Sequence, residues 1–171
     1  MIKRLLLLSA VSLLCFTAPV SSLDPDALSD EDKQLISAKC SEVQRNMQRL
    51  QRTDTVSRIN RGSTYSILIR LMSSMSSRAA INTFNVPALT SSTNAVQEMR
   101  GQFAEAYTTY EIALQNLIDM PCDNKPDEFY RALVDVRQKR AIINTHIREI
   151  DIQLQAFSSG LGELKTQMEA R

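Results

Sequence analysis

The sequence predicts an all-α protein, an elongated three-helix bundle or coiled coil with a cleaved signal peptide and one disulfide. Three observations lead there. From Phe129 to Met168 apolar residues recur at alternating spacings of four and three, through Leu133, Val136, Ile143, Ile147, Ile150, Leu154, Phe157, Leu161 and Leu164, with Arg140 as the one exception. A stripe averaging 3.5 residues over about five heptads is the seam of a long helix packed along other helices. Breakers are scarce, with four glycines and five prolines in 171 residues, and no run alternates with the period of two that a half-buried strand requires.

Residues 1–22 carry the three parts of a secretory signal. Lys3 and Arg4 precede an apolar run from Leu5 to Phe16, and Val20 and Ser22 are small residues placed for cleavage after Ser22. The run is well short of the roughly 20 residues that cross a bilayer as a helix, so retention as a membrane anchor is the weaker reading. Cys15 leaves with the signal. The remaining 23–171 reads as one helical domain with no stable membrane span, located outside the cytoplasm, secreted or in the cell envelope. Loss of Lys3 and Arg4 leaves 18 basic against 19 acidic residues, which argues against a nucleic-acid binder.

The first helix is expected over about 30–80. Ser29 caps it, and Asp30, Glu31 and Asp32 sit where the helix dipole favours acids. Its stripe runs Ile36, Cys40, Val43, Met47 and Leu50, turns polar through Asp54, Ser57, Arg61 and Thr64, and resumes at Leu68, Leu71 and Met75. A kink at Gly62 is compatible with this phase. An extended connection is expected over 82–92, since Val86 precedes Pro87 and a residue before proline avoids the helical region.

The second helix is expected over 93–120, with Val96, Met99, Phe103, Ala106, Tyr110, Ala113, Leu117 and Met120 on its seam and Pro121 ending it. The third is expected over 126–158, with Pro126 in the first turn, where a missing N–H costs nothing. Gly160 and Gly162 lower helix propensity, so 159–171 reads as a frayed tail.

Two cysteines, Cys40 and Cys122, remain in a chain bound for an oxidising compartment, and a disulfide between them is the expectation. Two separate buried thiols are the alternative. By helix rise, Cys40 lies roughly 60 Å below the top of the first helix, while a second helix starting at 93 descends only about 40 Å. The bond therefore requires either a downward extended connection or a bend at Gly62.

The same arithmetic sets Arg140 level with Asp54 to Ser57, with Glu105 and Thr109 close by. A polar layer of Asp54, Arg61, Glu105 and Arg140 is expected, with Arg140 paired to Asp54 or Glu105, of the kind that fixes register. The plainer reading lays the Arg140 stem along the surface with its head in water. Charge is segregated: Lys39 to Arg78 holds eight basic and two acidic residues, Ser92 to Glu128 two basic and seven acidic. The first two helices should be electrostatic partners, with Arg45, Arg49 and Arg52 left as an outer basic stripe open to a partner.

No catalytic constellation appears. His146 is the single histidine and has no nucleophile or metal-ligand partner at a recognisable spacing; no Gly-rich phosphate loop, HExxH or CxxC occurs. No enzyme, cofactor or metal is expected. Tyr65, Tyr107 and Tyr110 read as core rather than as an aromatic binding patch.

Lys39-Cys40 ahead of a basic helix, Arg58-Ile59-Asn60-Arg61-Gly62 with Tyr65, and Cys122 followed by Pro126, Phe129, Tyr130 and Arg131 resemble small, uncharacterised secreted helical proteins of ultrasmall, host-dependent bacteria. The resemblance spans roughly residues 39–150 and implies an envelope or host-facing location without an activity. The functional expectation is a non-enzymatic structural or protein–protein interaction module. A periplasmic chaperone or adaptor holding clients on exposed faces around Met72, Met75 and the Arg45 stripe is the alternative. Sustained seams are satisfied equally within one chain or between copies, so a homo-oligomer also fits.

Overall fold

The structure, a computed structural model, describes residues 28–170; the signal peptide expected over 1–22 lies outside them. Three helices account for nearly all of these residues: α1 (Asp30–Ile81), α2 (Pro87–Ile118) and α3 (Pro126–Glu169), with no strand among the described residues. They pack alongside one another, and α2 has the most neighbours: it lies most closely on α3, next on α1, while α1 and α3 touch least. Cys40 and Cys122 are bonded, with Cα atoms 5.5 Å apart. Closing an 82-residue separation stabilises by about 4 kcal/mol in the chain-entropy picture.

Burial follows from this order. Apart from Gly160, the positions that α3 buries are spaced by seven: Phe129, Val136, Ile143, Ile150 and Phe157. On α2 a matching ladder, Leu89, Val96, Phe103, Tyr110 and Leu117, runs antiparallel to it, and a second buried set, Thr93, Tyr107, Leu114 and Ile118, faces another side. A helix with neighbours on two sides needs two apolar faces, so one seam does not describe α2. On α1 the buried positions are Cys40, Met47 and Asp54, then Tyr65, Met72 and Ala79. The step from Asp54 to Tyr65 is eleven residues where a heptad allows seven, an insertion of four that rotates the buried stripe around the helix. The seam expected to resume at Leu71 and Met75 is displaced by that step: both are exposed, and Tyr65 and Met72 are buried in their place.

The expected height difference between the cysteines is resolved by neither a bend nor a long extended path. α1 is continuous through Gly62, and α2 begins at Pro87, six residues before the expected start. Proline is favoured at that first position, and Ser92 and Thr93, expected at the helix start, are buried inside the helix. The connection is only residues 82–86. Phe84 N–H donates to the Ala79 carbonyl and Thr83 N–H to that of Ala80, the paired bonds that close a helix C-terminus, with Thr83 at φ 60° in the left-handed position. From Pro87 to Ile118 the helix descends about 46 Å, and the turn through Cys122 completes the drop.

The base is closed by polar contacts. Gln44 Nε2 donates to the carbonyls of Ile118 and Met120 at 3.1 and 3.0 Å, satisfying the open end of α2. The Ser37 hydroxyl donates to the Asp123 carbonyl at 3.0 Å, and Lys33 pairs with Asp127 at 3.1 Å.

The expected frayed tail is helical to Glu169. Gly160 is buried against the start of α2: a Cβ there would lie 2.9 Å from Leu89 Cδ2 and 3.4 Å from Ala88 Cβ, so the absent side chain permits close approach. Gln167 binds Asn85 twice, accepting from its N–H at 3.1 Å and donating to its carbonyl at 2.9 Å, which ties the end of α3 to the α1–α2 connection. Gly162 has open space around its missing Cβ. The two glycines should therefore respond in opposite directions. Gly160→Leu is expected to lower unfolding free energy by about 1–3 kcal/mol through overpacking, and Gly162→Ala to raise it by about 0.5–1 kcal/mol through helix propensity. Denaturant unfolding of both variants checks this, and a loss at Gly162 equal to that at Gly160 would contradict the close-approach reading.

Candidate functional site

The feature with chemical potential lies where α1 changes phase. Asp54 is a carboxylate with 7% relative exposure in an apolar core, which is costly unless its oxygens are bonded. Both are: the Tyr110 hydroxyl donates to Oδ2 at 2.6 Å, and Arg140 Nη2 donates to Oδ1 at 3.1 Å. One residue from each helix thus meets at a single carboxylate. The Arg140 side chain is 48% exposed, so its stem lies along the surface while its head turns inward to the acid.

Between Asp54 and Tyr65 α1 has eleven residues, whereas α2 has seven between Phe103 and Tyr110. The slack is taken up by a polar cavity of about 170 Å³, lined by Asp54, Ser57 and Arg61 of α1, Tyr107 and Tyr110 of α2, and Arg140, Ile143, Asn144 and Ile147 of α3. Arg61 has no ion-pair partner among the described residues. Above the cavity, Tyr65 packs edge-to-face on Phe103, Phe103 on Tyr107, and Tyr107 on Tyr110, with ring centroids 5.5, 5.0 and 6.1 Å apart. The three tyrosines are core, and such pairs add roughly 0.5–1.5 kcal/mol each beyond area burial. The Tyr65 hydroxyl is buried without a hydrogen-bond partner.

Burial pushes the Tyr110 phenol well above its ordinary value, and its bond to Asp54 and that carboxylate's charge push it further. Tyr107 is raised for the same first reason, with the Ser57 hydroxyl beside it, Arg61 and Arg140 opposing the shift. Both phenols therefore stay protonated across the physiological range.

Glu105 does not join this layer. It is exposed and lines a separate groove of about 290 Å³ between α2 and α3, with Lys139, Ile142 and His146. On a helix, 105 and 107 point in nearly opposite directions, and it is Tyr107 that faces inward. Sequence reasoning places Arg140, Asp54 and Arg61 at one height but does not include Tyr110 and Tyr107. The usable signal is that a tyrosine in a seam needs a partner for its hydroxyl, and the polar break in α1 lies at the same height.

His146 is 20% exposed and bonds Glu149 Oε2 through Nδ1 at 3.0 Å. Among the described residues no group of three or more His, Cys, Asp or Glu is arranged to hold a metal ion, and no helix is long and apolar enough to cross a membrane.

The outer face of α1 is the other candidate. Arg45, Arg49 and Arg52 are exposed there, and the same side continues upward through Val56, Ile59, Ile67, Arg70, Leu71 and Arg78, all solvent-accessible. Acids are missing along it: after buried Asp54 the next acidic residue in the chain is Glu98. Arg58 points the other way and pairs with Glu111 of α2 at 2.9 Å. No protein-family model, curated protein or solved structure matches this chain.

The Tyr110–Asp54 bond has a measurable pH signature. Tyr110→Phe is expected to lower unfolding free energy at pH 7 by about 1.5–3 kcal/mol, the range for a hydrogen bond to a charged acceptor. The native phenol pKa lies above the unfolded value of 10.0, so its contribution is complete below pH 10. It is lost above that, at up to about 1.4 kcal/mol per pH unit, as the unfolded chain ionises first. Denaturant unfolding at pH 8 and pH 11 should show the gap between wild type and variant narrowing at the higher pH; a constant gap would contradict the raised pKa.

Proposed function

We propose that the protein is a non-enzymatic helical module acting outside the cytoplasm, an elongated three-helix bundle exported by its first 22 residues, which binds a protein partner through the outer face of α1. The observation that carries this reading is the basic–apolar stripe from Arg45 to Arg78. From Arg45 through Arg49, Arg52 and exposed Val56 to exposed Ile59 the steps are four, three, four and three, those with which one helix seats along another, and Ile67, Arg70, Leu71 and Arg78 carry the same side upward at wider intervals. The absence of acid on this stretch sets the partner's chemistry. Self-association through α1 would set arginines against arginines, whereas an acidic amphipathic helix offers both the charge and the apolar ridge. The disulfide supports an oxidising location, as does the resemblance to small secreted helical proteins of host-dependent bacteria.

A client-holding chaperone or adaptor is the second reading. Exposed Met75 favours it; Met72, on which it also rested, is buried.

The test titrates the disulfide-bonded protein with a synthetic helical peptide carrying leucine at its seam and glutamate elsewhere, with a lysine counterpart and vesicles containing phosphatidylglycerol as comparisons. The expected result is saturable binding of the acidic peptide that weakens at least tenfold in the Arg45→Glu/Arg49→Glu/Arg52→Glu variant and falls with added salt. Binding to vesicles alone, equal binding of both peptides, or no binding would overturn the helix-partner reading. Suppression of aggregation of an unfolded client at stoichiometric ratio, without peptide selectivity, would favour the chaperone.

A further inference from the structure

The acidic amphipathic helix that would suit α1 is present in the chain itself, beside the groove between α2 and α3. Glu98, Gln102, Glu105, Thr109 and Ile112 of α2 are all exposed. They follow one another at steps of four, three, four and three, the same steps as Arg45, Arg49, Arg52, Val56 and Ile59 on α1. Each row begins with charged residues, ends on an isoleucine and spans fourteen residue steps, about 21 Å of helix.

The groove supplies both the charge and the apolar surface that the α1 row lacks a partner for. Ala106 and Thr109 are short and leave it concave, Ile142 forms its α3 wall, and Ile142 and Ile112 are each more than half exposed. Four acids stand along it. Glu98 accepts from the lining Gln102, Glu105 is itself in the lining, Asp135 holds the lining Lys139, and Glu149 holds the lining His146. Four acids against one lysine give −3, counted without His146, and the three arginines of the α1 row give +3. The one acid between Arg45 and Ile59 is buried Asp54. Because α2 and α3 are antiparallel, Glu149 lies toward the Glu98 end of the groove, while Asp135 and its neutralising lysine lie toward the Ile112 end. The groove is therefore acidic at one end and apolar at the other, in the same order along α2 as the basic and apolar residues follow along α1.

Resting on the reading of the outer α1 face as a helix seat, we propose that its occupant is a second copy of this chain. The α1 row of one copy lies along the α2–α3 groove of the next, parallel to α2. Arg45 is then level with Glu98, Arg52 with Glu105, and Ile59 with Ile112, so that charges meet and the exposed aliphatic residues cover one another. The reverse direction would set arginines on Ile112 and is disfavoured. No α1 residue lines the groove, and the α1 row lies across the helix from Cys40, Met47 and Asp54, which face inward. The two surfaces are thus on different sides of the molecule, and one copy can use both at once. A head-to-tail contact of this kind builds a ring or a filament instead of closing as a symmetric dimer.

The experiment sediments the intact, disulfide-bonded protein over a range of concentrations. At about 0.5 mM and low salt the weight-average mass should be at least about twice the monomer's, as a Kd of about 0.1 mM produces, and should fall toward the monomer as salt is added. Arg45→Gln/Arg49→Gln/Arg52→Gln and Glu98→Gln/Glu105→Gln should each stay monomeric with unchanged helical content, since all of these positions are exposed. Their equimolar mixture should form a dimer and nothing larger, because one native pair of faces remains, α1 of the second variant on the groove of the first. Lys165→Gln, exposed outside both faces, should associate as the wild type does. A measurement on the wild type alone complements these: dilution should shift the Ile59, Ile112 and Ile142 methyl NMR signals and leave that of Ile81, exposed at the top of α1, in place. A monomer at every concentration, association that either variant leaves intact, or a mixture that stays monomeric would overturn the proposal. A monomer that still binds the acidic helical peptide would remove the second copy and leave the α1 seat standing, whereas a monomer that binds no peptide would remove both.

Discussion

The structure depends on the vertical register between α1 and α2. These helices are joined by a five-residue connection, so a slip of one turn would move every layer of the core by about 5.4 Å. The register is pinned at the base by Cys40–Cys122 and at mid-height by the Asp54–Tyr110 bond. Near the top, the Ser76 and Thr93 hydroxyls are 3.3 Å apart. α3 then needs only to match α2, which it does through two seven-residue ladders running in opposite directions.

A bundle of long helices with regular seams has neighbouring registers of nearly equal burial. A buried carboxylate with one donor from each of the other two helices raises the energy of those alternatives, because any slip leaves a charge unpaired in the core. Here that device coincides with the eleven-residue step on α1. The phase shift creates room, and polar residues line it. The register lock and the polar cavity thus have one geometric origin.

Much of this is legible in the sequence, and the departures have identifiable causes. Helix type and order follow from the 3.5-residue stripes, and the disulfide from two cysteines in a chain whose first residues read as an export signal. Helix rise alone brings Asp54 and Arg140 to one height. Pro87 reads as a breaker inside an extended segment, although its position is equally the first turn of a helix, and both readings meet the cysteine distance. Gly160 reads as a weak point through propensity, which has no knowledge of Leu89 across the interface. Height draws Glu105 into the polar layer because it fixes the level of a residue but not its azimuth. The upper seam of α1 suffers the same ambiguity, since Leu71 and Met72 differ by one residue and about 100° of rotation.

The central claim is the α1–α2 register, and the most direct measurement probes it far from the native disulfide. In the Ser76→Cys/Thr93→Cys variant of the full chain, the two introduced thiols should form a second disulfide on mild oxidation, because the native hydroxyls at these positions already approach to 3.3 Å. Peptide mapping should recover the native Cys40–Cys122 bond together with a bond linking positions 76 and 93, with helical content unchanged. Free thiols at 76 and 93 in the folded, oxidised protein, or a bond that forms only with loss of helicity, would contradict the register.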